Sequence, residues 1–151
     1  MTSSAACWRS FGEVLATCYS DPDRLEFRQL IVDAYAAQHP GEGLREQVQS
    51  VGIHLMTLCL FLEQRVDPSQ GSKLHQRMIR RPNFHQIEPH GRTALTVRHV
   101  PLEWSAEDAR ERAYEWSYAV WKLYADDHHA VRVWLTEAGF PGDVPIRPHH
   151  R

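Results

Sequence analysis

Apolar residues recur along much of this chain at helical spacing. Between Ala6 and Tyr19, the residues Trp8, Phe11, Leu15 and Cys18 fall three or four positions apart, which gathers them on one face of a helix. The SDPD stretch at 20–23 ends that pattern and offers cap residues for the next segment. A second helix is predicted over about 24–38, with Phe27, Leu30, Ile31, Ala34 and Tyr35 on its apolar side. HPGEG at 39–43 interrupts the pattern with Pro and Gly. A third helix is predicted over about 44–64, where Val48, Val51, Leu55, Leu58 and Leu62 make a buried stripe. The short link implies that the second and third helices lie antiparallel.

From 66 to about 105 the periodicity fails, and Pro68, Gly71, Pro82, Pro89, Gly91 and Pro101 punctuate the chain. A short helix over 72–79 and an extended piece over 94–100 are the regular elements expected there. A connection this long reads equally as the lid or wall of a site and as a plain crossover. Ser105 followed by Asp108 has the spacing of a capping box, so a fourth helix starts near Ala106. It runs to about Ala138, with an interruption near 125–130, and Gly139 and Pro141 stop it. Helices without convincing strand pairs make the expected fold all-α. The architecture is a bundle of four to five helices with one long irregular crossover at about residues 66–105. Residues 1–141 read as a single domain and 142–151 as a mobile tail.

Composition narrows the partners. The chain has 151 residues, 42% hydrophobic and 24% charged, with a net charge of −2. That balance offers no basic face for nucleic acid. The longest apolar run, Ile53 to Leu62, is broken by His54, Thr57 and Cys59 and is too short to span a bilayer, so no membrane partner is expected. The first ten residues lack the pattern of a signal peptide. Cys7, Cys18 and Cys59 form no Cys-x-x-Cys pair, and a sparse, odd count fits a reducing cytoplasm.

The ten histidines are the outlying feature. His54 shares a stripe with Gln47, Val51, Leu58 and Phe61, and Asp127 and His128 fall on stripes carrying Trp116, Trp121, Tyr124 and Trp134. His129 points about 100° further round. Arg28, Tyr35 and His39 form a polar stripe on the second helix, from which Asp33 projects to a different side. Counting outward from the hairpin turn sets His54 opposite residues 28–32. Imidazoles and a carboxylate from different helices are what a metal site in a bundle requires. The leading expectation is therefore a metal-dependent hydrolase, transferase or oxidase acting on a small molecule. His39, His54, His128 and His129 would be its metal ligands, with zinc or iron as the ion. Asp33 and Asp127 would be its bases, and Arg28, Tyr35, Trp121 and Tyr124 its substrate contacts. Two other readings stand beside it. One is a metal-free enzyme that uses Asp127–His128 as an acid–base pair in an aromatic pocket. The other is a non-catalytic binding protein with structural histidines. Bundles often self-pair, so a homodimer is also expected.

VDAYAAQHPG at 32–41, QSVGIHLMTLCLFLE at 49–63 and HHAVRVW at 128–134 together resemble a bacterial family of small helical proteins of unknown function. CWRSFGEVLATCYSDP at 7–22 and ALTVRHV at 94–100 resemble further segments of it, so the similarity covers nearly the whole chain in order. The resemblance implies that Asp33, His39, His54, His128 and His129 are motif positions. It also implies two departures: this chain lacks a cysteine-containing segment before Cys7–Trp8, and it carries Arg28 where family members often have His.

Overall fold

The computed structural model describes residues 5–39, 45–78, 87 and 93–140; within them the side chains of 45–50, 75 and 78 are left aside. All regular elements among the described residues are helical. The first helix, α1 (Ala5–Ser20), buries Val14 and Cys18. Asp21 then caps α2 (Pro22–Leu25): its carboxylate accepts the Asp23 N–H at 3.0 Å, and Pro22 opens the helix where a missing N–H costs nothing.

The helix predicted over 24–38 breaks at Glu26 and Phe27, and α3 (Arg28–Gln38) begins after the break. The break plants Phe27, 1% exposed, in the core. It also leaves Arg24 buried, donating to the carbonyls of Pro101, at 3.2 Å, and of Trp104. The third predicted helix is α4 (Arg45–Leu62). It is buried on every side from Val51 to Phe61, more than a single stripe foretells, because α3, α5, α6 and α7 all pack on it.

A one-turn 3-10 segment, Pro68–Gln70, leads into α5 (Gly71–Met78), which answers the short helix expected there. Gly71 is needed for this approach: a Cβ on it would lie 2.2 Å from Gln29 Cγ. The stretch expected to be extended, 94–100, instead holds a 3-10 turn at Val97–His99, capped by the Thr96 hydroxyl, which accepts the Arg98 N–H at 3.2 Å. Val97 and Val100, three apart, both enter the core through that turn.

The Ser105 hydroxyl accepts the Asp108 N–H at 3.2 Å and starts α6 (Ala106–Leu123), as the capping-box spacing predicts. The expected interruption is a 3-10 turn at Ala125–Asp127, followed by α7 (His128–Glu137). Gly139, at φ 92°, terminates α7 in the left-handed region. The proposed tail, 142–151, lies outside the described residues.

Trp116, Trp121, Tyr124, Phe27 and Phe61 are the largest side chains of the core. Their polar atoms are matched: Trp116 Nε1 donates to Gln38 Oε1 at 2.9 Å, and Tyr124 Oη to the Ala37 carbonyl at 2.7 Å. Gln38 Nε2 donates in turn to the Leu95 carbonyl at 2.8 Å, tying the crossover to α3. No described helix is long and apolar enough to cross a membrane.

Candidate functional site

Asp33 lies mid-helix in α3 and is fully buried; His54, mid-helix in α4, is 9% exposed. Packing of α3 on α4 brings Asp33 Oδ1 to 2.6 Å from His54 Nδ1. Gln29, one turn earlier on α3, donates Nε2–H to the same Oδ1 at 2.9 Å. A carboxylate at Nδ1 selects the tautomer with its proton there, which leaves the lone pair on Nε2. Asp33 Oδ2 is buried and has no hydrogen-bond partner among the described residues.

The polar chain continues outward. Gln29 Oε1 accepts from Arg28 Nη2 at 3.4 Å, and Arg28 Nη2 also donates to Ser72 Oγ of α5 at 2.9 Å. The guanidinium carbon lies 5.8 Å from the centroid of the exposed Tyr19 ring. Side chains of α1, α3, α4 and α5 thus form a path from the surface to the buried imidazole. Gly71 is its keystone, since it lets α5 seat directly on Gln29.

Two more residues on α3 belong to an aromatic stack beside α1. Phe11 lies parallel to Tyr35 at 3.9 Å between centroids, and the His39 ring is 4.3 Å from Tyr35 on its own helix. His39 closes α3, and its buried Nε2 has no hydrogen-bond partner among the described residues. Burial lowers its pKa below the ordinary histidine value, favouring the neutral ring.

His128 belongs to a different cluster. Its ring stacks on Trp121 at 3.7 Å, and Nε2–H donates at 2.8 Å to the Trp121 carbonyl, which also accepts the Tyr124 N–H at 3.1 Å at the end of α6. Asp127 is half-buried and forms no ion pair with His128 among the described contacts; His129 is exposed. Trp121 Nε1 donates to Glu63 Oε2 at 3.2 Å, so the aromatic residues read as substrate contacts, Trp121 and Tyr124, both spend their polar atoms inside the fold.

Glu63 is a residue the sequence pattern did not single out. Arg132 of α7 grips it through Nε and Nη2 at 2.9 and 2.8 Å. Burial raises the Glu63 pKa, but the bonds and charge of Arg132, with the Trp121 N–H, outweigh it and hold the carboxyl below its ordinary value. The Cys59 thiol beside it is pushed up to about 12, first by burial and then by the Glu63 charge. Gln29 was missed as well, although its spacing of four from Asp33 was a usable signal.

The structure therefore joins Asp33 to His54, with Arg28 linked to them through Gln29. It sets His128 beside Trp121, His39 beside Tyr35, and His129 at the surface. Among the described residues, no three His, Cys, Asp or Glu side chains are grouped to hold one ion.

Fold and site together define a small all-α protein with a buried, hydrogen-bonded Asp–His pair where two helices meet. The chain belongs to the family of unknown function DUF5946, whose model matches residues 1–125. Asp33, His39 and His54 fall within the matched stretch, whereas His128 and His129 follow it. No curated protein matches the chain, and no solved structure does.

Proposed function

We propose that this protein is a small enzyme in which His54 acts as general base on a small-molecule substrate, with Asp33 as its positioning partner. One observation carries the reading: the fully buried Asp33 carboxylate contacts His54 Nδ1 at 2.6 Å. A carboxylate at that nitrogen fixes the ring and stabilises the imidazolium that forms when Nε2 takes a proton. The acid–base pair expected from Asp127 and His128 is replaced in this reading by Asp33 and His54.

The test compares wild-type protein with His54→Gln and Asp33→Asn on chromogenic carboxylic esters, phosphomonoesters and amides. Turnover should fall by about a hundredfold or more in His54→Gln, the usual contribution of a positioned base, and by less in Asp33→Asn. Circular dichroism confirms that both variants fold. If no substrate class gives turnover that depends on His54, the pair serves only to tie α3 to α4.

A second reading keeps the metal. A carboxylate at Nδ1 is also how proteins orient a metal-binding imidazole, and Asp33 Oδ2 is a buried acceptor without a partner among the described residues. His54 Nε2 would then be a ligand atom for zinc or iron, which would supply Lewis-acid or redox chemistry. His128 would join only after giving up its bond to the Trp121 carbonyl. Elemental analysis of protein purified without an affinity tag decides this: a stoichiometric metal that His54→Gln loses supports it. Absence of metal, with no uptake on adding zinc or ferrous iron, removes it.

Cytoplasmic residence is the reading that matches a sparse, odd count of three cysteines, which suits a reducing compartment better than a disulfide scaffold. Homodimer formation rests on exposed Trp8, Tyr19 and Trp104, and a monomer mass by light scattering would overturn it.

A further inference from the structure

Arg28 differs from the other half-buried or buried arginines of the described chain. Arg24 meets Asp21, Arg112 meets Glu115 and Arg132 meets Glu63. Among the described residues, Arg28 meets no carboxylate, and its two hydrogen-bond acceptors, Ser72 Oγ and Gln29 Oε1, are neutral. Both engage Nη2, so Nη1 and Nε keep donors unspent within the described residues. Ser72 Oγ accepts from Arg28, which leaves its own O–H to donate outward. A positive charge with spare donors, a hydroxyl donor beside it and an exposed tyrosine ring near it make a seat for an anion. That seat is connected to His54 through Gln29 and Asp33.

We propose that Arg28 and Ser72 bind an oxyanion, a carboxylate or a phosphate, carried by the substrate on which His54 acts. The inference rests on the reading of His54 as the reacting group. Guanidinium is suited to planar oxyanions. Gln29 fixes the order of parts. Its carbonyl oxygen faces Arg28 and its amide faces Asp33, so the anion seat and the base keep one register.

The experiment titrates the full chain, isotopically labelled, with inorganic phosphate and separately with acetate at constant ionic strength, following amide and guanidinium resonances. Shifts should centre on Arg28 and Ser72 with saturable binding. Arg28→Gln should weaken it at least about tenfold, the worth of one charge-assisted hydrogen bond, and Arg28→Lys should restore part of it. Stronger binding of phosphate than of acetate assigns a phosphorylated substrate; the reverse assigns a carboxylate. Anions that bind elsewhere, bind with equal strength to Arg28→Gln, or do not bind at all overturn the inference. The His54→Gln protein separates the two proposals. It should bind the anion as wild type does, so loss of anion binding to Arg28→Gln alongside turnover indifferent to His54 sinks the base and spares the seat.

Discussion

Burying the carboxylate of Asp33 is unfavourable, and two hydrogen bonds on one of its oxygens offset that cost. The two partners of the pair should not respond alike to truncation. His54→Ala strands a buried carboxylate with Gln29 alone and should cost about 3–5 kcal/mol in urea unfolding. Asp33→Ala leaves a ring that can stay neutral and should cost less, about 2–3 kcal/mol. Equal losses would mean that the carboxylate is not the costly member. His39 gives a pH signature of its own. Its folded pKa is lowered by burial, so the unfolded chain binds more protons as acidity rises. Stability should therefore be full above the unfolded value of about 6.5 and decline as pH falls below it, and His39→Gln should flatten that part of the profile. An unchanged profile in His39→Gln would place the effect elsewhere.

At the scale of elements, the contact between α5 and α3 depends on an absent side chain. A Cβ at position 71 would meet Gln29 Cγ at 2.2 Å and Gln29 Cβ at 2.3 Å, atoms too near the backbone to swing aside. Gly71→Ala should cost about 1–3 kcal/mol and, by moving Gln29, weaken its bond to Asp33. A thermal melt checks the first effect and the His54 ring resonances the second. The clasp between α4 and α7 is weaker, because Arg132 is 42% exposed at its side chain. Glu63→Gln should cost only about 1 kcal/mol after solvent screening. Since the folded pKa of Glu63 lies below its ordinary 4.5, that contribution is present above the unfolded value and is lost as pH falls through the folded one. Helix boundaries were legible where a local signal existed: Ser105 at the start of α6, Gly139 at the end of α7. The break at Glu26 and Phe27 was not, because Phe27 suits the apolar stripe whether or not the helix continues. Alternation over 94–100 misled for a related reason: Val97 and Val100 have the spacing of a 3-10 turn, and no partner strand exists among the described residues.

Across the molecule, burial of Cys18 in α1 and Cys59 in α4 makes the thiols reporters of the whole fold. Their pKa values are pushed up, mainly by burial, to about 11 and about 12, so neither supplies thiolate at neutral pH. Native protein at pH 8 should leave both unlabelled by iodoacetamide, and both should label together once urea unfolds the chain. Early labelling of Cys18 alone would show α1 detaching before the rest.

Periodicity and caps in the amino-acid sequence determined most of the helices, the interruption before α7 and the oddity of a histidine on an apolar stripe. These are properties of neighbours within about a turn or two, which the sequence records directly. Counting outward from the HPGEG stretch even reached within one residue of the partner of His54. The choice of Asp33 itself belonged to the tertiary structure. Eight of the eleven residues of α3 are buried, so this helix has no single apolar stripe, and a side chain projecting away from one is not thereby facing water. Which histidines meet, and which end beside a tryptophan or in solvent, depends on how whole helices turn against each other, and no local spacing encodes that rotation.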